Sequence, residues 1–120
     1  SVLVRYRKDY QKIVMGLLSL VPELHNYNRF TEELTAALDQ HFPVYLWKDQ
    51  EDNHFIAVAI VEEGDYSLLL RRISFTSSER SGKNVFSLLT ALQEQYPGKR
   101  LMGTLRNQPL ITTWERYNER

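Results

Sequence analysis

The chain contains no cysteine. That excludes disulfides, thiolate zinc sites and a cysteine nucleophile, and it fits a reducing compartment such as the cytoplasm. It also lacks net charge, with 15 Lys and Arg against 15 Asp and Glu. No global field draws it to nucleic acid or to an anionic membrane, so any anion site must be local. No apolar run approaches the roughly 20 residues of a membrane span. The opening from Ser1 to Lys8 is polar and has no signal-peptide pattern. Glycine is scarce, at five residues, and neither a Walker loop nor a dinucleotide fingerprint can be assembled from them. The three histidines, His25, His41 and His54, lack metal-ligand spacing, so no metal is expected.

What is present reads as one domain, residues 1–120, with 42% hydrophobic and 25% charged residues, ordinary values for a globular protein able to bury a core. Leu3 to Tyr6 reads as a short strand. From Asp9 the period changes: Tyr10, Ile13, Val14, Leu17, Leu18 and Val21 mark one helical face, ended before Pro22. A second helix is expected to start at Thr31 as its cap, with Glu32 and Glu33 in the first turn and Phe30, Leu34, Ala37 and Leu38 as its apolar face. Three strands follow, Val44 to Lys48, His54 to Glu62 and Tyr66 to Phe75, with Gly64-Asp65 as a hairpin turn. In the middle strand Ile56, Val58 and Ile60 fall on one face and Ala57, Ala59 and Val61 on the other, so both faces are expected to be covered. A helix from Gly82 to Tyr96, a strand from Arg100 to Leu105 and a helix from Pro109 to Tyr117 complete a β-α-α-β-β-β-α-β-α order. The expected class is α+β, a three-layer arrangement of a mixed, mostly antiparallel sheet with helices on both faces.

The most informative stretch runs from Leu69 to Leu92. A buried strand ends at Phe75, a loop rich in Ser and Thr follows with Arg80 and Lys83, and a long amphipathic helix begins. The first turn of a helix presents unpaired N–H groups and a positive dipole end. Gly82 permits close approach of a ligand, Ser77, Ser78 and Ser81 can cap or donate, and Arg80 and Lys83 can pair with phosphates. Two readings stand side by side: an anion cradle, or a helix capped by Ser81 with solvated basic residues around it.

The element order, with this loop at its centre, resembles the GNAT acetyltransferase superfamily over nearly the whole chain. That family holds the coenzyme A pyrophosphate in an R/Q-x-x-G-x-G/A loop. The matching run here is Glu79-Arg80-Ser81-Gly82-Lys83-Asn84. Gly82 matches, Glu79 stands where Arg or Gln is usual, Asn84 replaces the second glycine, and Arg80 supplies positive charge one step later. The chain is also similar to the short RibT-like GNAT proteins encoded with riboflavin biosynthesis genes, in Val4-Arg5-Tyr6 through Met15-Gly16-Leu17-Leu18-Ser19, in Leu46-Trp47-Lys48 and in Arg71-Arg72-Ile73-Ser74. The resemblance implies an acetyl-coenzyme A-dependent N-acetyltransferase of a small amine. It implies that the main chain of Ile73, Ser74 and Phe75 receives the pantetheine arm, that Arg80, Ser81, Gly82, Lys83 and Asn84 surround the pyrophosphate, and that Asn107 meets the coenzyme, although a turn role serves Asn107 equally.

Acetyl transfer to an amine requires loss of a proton from the amine and is helped by an acid at the leaving thiolate. GNAT enzymes often place a tyrosine on the last helix as that acid. Trp114 occupies the tyrosine position here, and an indole N–H is not a useful acid. Tyr117, one turn on, is the candidate acid, against a reading in which the two aromatics close the core. Glu62 is the candidate base, against a solvated place near the hairpin. Arg71 and Arg72, adjacent on a strand, are expected to face opposite sides. The family adds two strands after the last helix, and the sequence stops at Arg120. C-terminal strands missing or shortened would leave a bare sheet edge and lead to the expectation of a homodimer. Besides the enzyme, two readings remain open: a degenerate GNAT module that binds coenzyme A without turnover, and an unrelated α+β domain with no coenzyme site.

Overall fold

The computed structural model describes residues 1–118. Five strands form one sheet in the order β1-β2-β3-β4-β5: β1 Val2–Arg5, β2 Val44–Lys48, β3 Phe55–Glu63, β4 Ser67–Phe75 and β5 Arg100–Gly103. All neighbours are antiparallel except β4 and β5, which run parallel. Parallel neighbours need a long crossover; α3, Gly82–Gln95, supplies it. The other helices are α1 Gln11–Leu18, α2 Tyr27–Asp39 and α4 Gln108–Asn118. The class is α+β with helices on both faces of the sheet, as the element order predicts. Among the described residues no helix is long and apolar enough to cross a membrane.

Strand alternation builds two cores. Val44, Leu46, Val58 and Ile60 meet Val14, Leu17 and Leu18 of α1 and Leu34 and Ala37 of α2. Tyr45, Trp47, Ala57, Ala59, Val61, Leu68 and Leu70 meet Leu88, Leu89 and Leu92 of α3 and Ile111 and Trp114 of α4. The central strand β3 is therefore covered on both sides. One of its residues departs from strict alternation. Trp47 aligns with Ala57 and Lys48 with Phe55, so Ile56 is the extra residue of a bulge and joins the core of Ala57 rather than that of Val58.

The helix starts differ from the sequence expectation. Helix α2 is capped by Asn26, whose side chain accepts from the amides of Asn28 at 2.9 Å and Arg29 at 3.4 Å. Thr31 lies inside the helix, and its Oγ1 is buried without a partner. Asparagine is at least as good a cap as threonine, and here it comes a turn earlier. Helix α1 ends at Leu18, after which Val21 adopts φ −74°, ψ 121°. A residue before proline is pushed into that extended region.

The outward amides of β5 are occupied rather than bare. Arg100 N–H bonds inward to Tyr66 O at 3.0 Å. The outward amides are taken by side chains: Leu101 N–H donates to Gln93 Oε1 at 3.1 Å and Gly103 N–H to Gln108 Oε1 at 2.9 Å. Gln93 Nε2 is itself held by Lys99 O. Strand pairing across this edge would have to displace both glutamines.

Candidate active site

The site is made by the parting of β4 from β5. Their ladder covers Ser67–Leu70 against Arg100–Gly103 and stops there. At the same point β4 carries a bulge: Ile60 aligns with Arg72 and Val61 with Leu70, leaving Arg71 over. A bulge puts two consecutive side chains on one face. Arg71 and Arg72 accordingly point to the same side of the sheet, the α1/α2 side, instead of opposite sides. Arg71 Nη1 meets Glu62 Oε1 at 2.8 Å, with its guanidinium stacked over Phe42. Arg72 Nε meets Glu33 Oε1 of α2 at 3.1 Å.

Asn107, nearly buried, supplements the main chain where the strands part, where Leu70 O already accepts from Thr104 N–H at 3.3 Å. The Nδ2 of Asn107 is shared among Leu70 O at 3.3 Å, Arg71 O at 3.1 Å and Thr104 Oγ1 at 3.2 Å. Beyond that point β4 has no strand neighbour on its β5 side among the described residues. Thr76 N–H bonds to Ile56 O at 2.9 Å on the β3 side. With the two-residue alternation of an antiparallel ladder, the main-chain groups of Ile73 and Phe75 turn the other way, into the gap.

Two cavities open along this free edge. One, of about 260 Å³, is lined by Ile73, Phe75, Arg80, Ser81, Gly82, Val85, Phe86 and Leu110. The second, of about 230 Å³, shares Ile73, Phe75, Arg80 and Leu110 and adds Leu20, Val21, Pro22, Arg72, Ser74, Arg106 and Asn107. Together they form a slot that passes from the start of α3, beside the free edge of β4, to the end of α1.

At the α3 end, Ser81 caps the helix by accepting from Asn84 N–H at 3.2 Å, and Asn84 Nδ2 folds back to Glu79 O at 2.7 Å. The loop thus holds its own shape, and Asn84 is spent on it. The amides of Gly82 and Lys83 have no acceptor among the described residues. A Cβ on Gly82 would meet nothing within 4 Å, so packing does not require a glycine there. Arg80 lines both cavities and has no carboxylate within 4.0 Å among the described residues. Ser74 offers the slot no free polar group: its hydroxyl is buried and donates to Leu17 O at 2.6 Å, and by the same alternation its main-chain groups face Val58 of β3 rather than the gap, unlike the expectation for it.

The slot therefore brings together Ile73, Ser74, Phe75, Arg80, Ser81, Gly82 and Asn107. Lys83 sits next door, in an outer groove with Gly82, Phe86, Ser87, Thr90 and Tyr117. Tyr117 is exposed there, its ring 5.2 Å from that of Phe86. It lies two turns past Leu110, the α4 side chain that does reach the slot, or about 10 Å along the helix. Trp114 is buried and its Nε1 donates to Thr90 Oγ1 at 3.1 Å. Glu62 lines a separate groove with Arg5, His41, Phe42, Tyr45 and Tyr96. Neither Tyr117 nor Glu62 lines the slot.

Two carboxylates that hold the arginines of its α1 end, without lining the slot themselves, were not proposed as site residues by sequence. Glu23 Oε2 sits 2.6 Å from Arg106 Nη1 and 3.8 Å from Arg72 Nη1, and Glu33 holds Arg72 from the other side. Four residues from four segments meet there, with no spacing that could announce it.

No family model matches the sequence. An uncharacterized N-acetyltransferase from the lysA 3′ region of Bacillus methanolicus is 32% identical over 103 residues, covering 84% of each chain. Among solved structures, a histone acetyltransferase HPA2 and related acetyltransferase from Corynebacterium glutamicum aligns with a TM-score of 0.73 at 9% identity, covering 97% of this chain and 82% of that one. A probable acetyltransferase aligns at 0.70 with 13% identity, covering 100% and 90%. A possible acetyltransferase from Clostridium difficile 630 aligns at 0.63 with 16% identity, covering 98% and 88%. At such identities the structures speak for the fold; the sequence relative carries the kinship. With a β4 strand that bulges and parts from β5 over a helix start, the chain belongs to the GNAT family of N-acetyltransferases.

Proposed function

We propose that the protein transfers an acetyl group from acetyl-coenzyme A to a small amine through the slot between β4 and β5. The observation that carries the reading is the unpaired main-chain edge at Ile73 and Phe75, leading to the free amides of Gly82 and Lys83. A strand edge suits an amide-bearing arm such as pantetheine, which can hydrogen-bond to it as a further strand would. N–H groups at a helix start that have no acceptor among the described residues, backed by Arg80 with no carboxylate beside it there, suit a pyrophosphate. The amine would enter from the α1 end, past Leu20, Pro22 and Arg106. The RibT-like stretches, Val4-Arg5-Tyr6 through Ser19, Leu46-Trp47-Lys48 and Arg71-Arg72-Ile73-Ser74, support an acceptor linked to flavin metabolism.

One observation favours the second reading, a coenzyme-binding module without turnover. The α4 side chain in the slot is the apolar Leu110, and the indole in the family's tyrosine position is tied to Thr90. Direct attack on a thioester needs no strong acid, since a thiolate is a good leaving group at neutral pH, so this weighs on rate more than on binding. Calorimetric titration with acetyl-coenzyme A tests what both readings share. Micromolar affinity, about −8 kcal/mol, is expected; absence of binding at millimolar ligand refutes both. Release of free coenzyme thiol with an amine panel then separates them.

A further inference from the structure

The α1 end of the slot has a charge pattern that speaks to its acceptor. Three guanidiniums line it, those of Arg72, Arg80 and Arg106. Two carboxylates answer them: Glu33 pairs with Arg72 at 3.1 Å, and Glu23 bridges Arg106 at 2.6 Å and Arg72 at 3.8 Å. If Arg80 is engaged by the coenzyme's phosphates, Arg72 and Arg106 remain on the wall of the opening, with Glu33 and Glu23 paired to them from just outside it. A simple alkylammonium ion would find as much repulsion as attraction there. A zwitterion finds a partner for each of its charges.

The two ion pairs differ in how easily they exchange. Arg72 is largely covered, with 20% of its side chain exposed, and is held by two carboxylates. Arg106 is 57% exposed and, among the described residues, pairs with Glu23 alone. An exposed pair contributes about 0–1 kcal/mol, so a ligand carboxylate can replace Glu23 on Arg106 at small cost. A guanidinium fork matches a carboxylate with two parallel bonds. Glu23, once displaced from Arg106, keeps only its longer contact of 3.8 Å to Arg72 and stands next to the arginine wall of the opening, within reach of the ammonium of the same ligand. Leu20, Pro22 and Leu110 offer apolar wall for the carbon skeleton.

We infer that the acceptor is an amine bearing its own carboxylate close to the nitrogen, as in an α-amino acid, with Arg106 holding the carboxylate and Glu23 serving as the base. This rests on the acetyl-transfer reading. The ammonium gives a proton to Glu23, and the freed nitrogen attacks the thioester carbonyl. The N–C bond forms and the C–S bond breaks, the sulfur leaving with the electron pair. The nitrogen's second proton neutralises the thiolate through solvent, and Glu23 returns its proton to water. The sum is ammonium and thioester giving amide, thiol and one proton.

The test separates the two layers. Titration of the full chain with acetyl-coenzyme A comes first; no binding overturns the acetyl-transfer reading and this inference with it. Given binding, thiol release is measured for matched acceptors: α-amino acids, their amides, the corresponding decarboxylated amines and phosphorylated amines of similar size. The same compounds are titrated into coenzyme A-loaded protein, so that binding without turnover still decides. Carboxylated amines should exceed their amides by about tenfold or more in kcat/KM, or in affinity if nothing turns over, the worth of one charged hydrogen bond. Arg106→Gln should erase that preference with the acetyl-coenzyme A affinity unchanged. Glu23→Gln should lower kcat with the acetyl-coenzyme A affinity unchanged. Equal use of acids and amides, a preference for phosphorylated amines, or no interaction with any carboxylated amine overturns the inference while leaving the coenzyme site standing.

Discussion

Gly82→Glu separates a ligand-binding role of the loop from a purely structural one, because the two predict opposite signs. Nothing lies within 4 Å of the position a Cβ would take, so the folded chain accepts a side chain there. Gly82 is the first residue of α3, where an acidic side chain gains about 0.3–1 kcal/mol from the helix dipole. Removing a helical glycine adds up to about 1 kcal/mol. The variant should therefore melt at or slightly above the wild-type temperature. Its affinity for acetyl-coenzyme A should collapse. The new carboxylate stands among the free amides of Gly82 and Lys83, where it repels phosphate and competes for the same donors. Loss of even one charged hydrogen bond costs about 1.5–3 kcal/mol, and with repulsion added the fall should exceed about a hundredfold. Calorimetry on both proteins, beside a thermal melt, reads both effects. A folded variant with unchanged affinity would move the coenzyme away from α3 and refute the reasoning; a variant that fails to fold would show that the open space around Gly82 is illusory.

Gly103 behaves in the opposite way: a Cβ there would lie 2.7 Å from Asn107 C and Gln108 N. Both are main-chain atoms, so Gly103→Ala should destabilise by about 1–3 kcal/mol, and a melt indistinguishable from wild type would refute that close approach of β5 to α4. Asn107→Ala should leave the carbonyl of Arg71 short of a donor, Leu70 O keeping the N–H of Thr104, costing about 1–3 kcal/mol and loosening the slot, so that stability and acetyl-coenzyme A affinity fall together in denaturant and binding measurements. Tyr96 has its pKa raised from 10.0, first by burial and then by its bond to Tyr45, whose hydroxyl lies 2.6 Å away. A raised folded-state pKa favours the protonated form, so this stability is complete below pH 10 and is lost as pH rises above it. Tyr96→Phe should flatten that alkaline decline, and an unchanged pH profile would remove Tyr96 as its source.

Much of the fold was legible because it rests on neighbours in sequence. The 3.6-residue pattern of Ile13, Val14, Leu17 and Leu18 marked α1, and the run from Phe55 to Val61 marked a strand buried on both faces. Ser81 and Gly82 announced the start of α3 through cap and dipole physics, which needs only a few consecutive residues. The element order then limited the architecture to a sheet with one crossover. The site was legible in part for the same reason: Ile73, Phe75, Arg80 and Gly82 belong to one strand, loop and helix start.

What the chain could not show locally depended on register. Alternation places Arg71 and Arg72 on opposite faces, and only the partner strand reveals that β3 skips Arg71 and turns both the same way. The same skip, with Asn107 filling in behind it, marks where β4 and β5 part. Glu23, Glu33, Arg72 and Arg106 come from four segments and meet only once the sheet and α2 have docked. The occupied outward amides of β5 depend on Gln93 and Gln108 reaching them from two helices. Short-range pattern is set by steric and hydrophobic preferences of a few adjacent residues, and sequence states those directly. Register, bulges and ion pairs across segments are settled by how whole surfaces pack, and that is decided only in the folded protein.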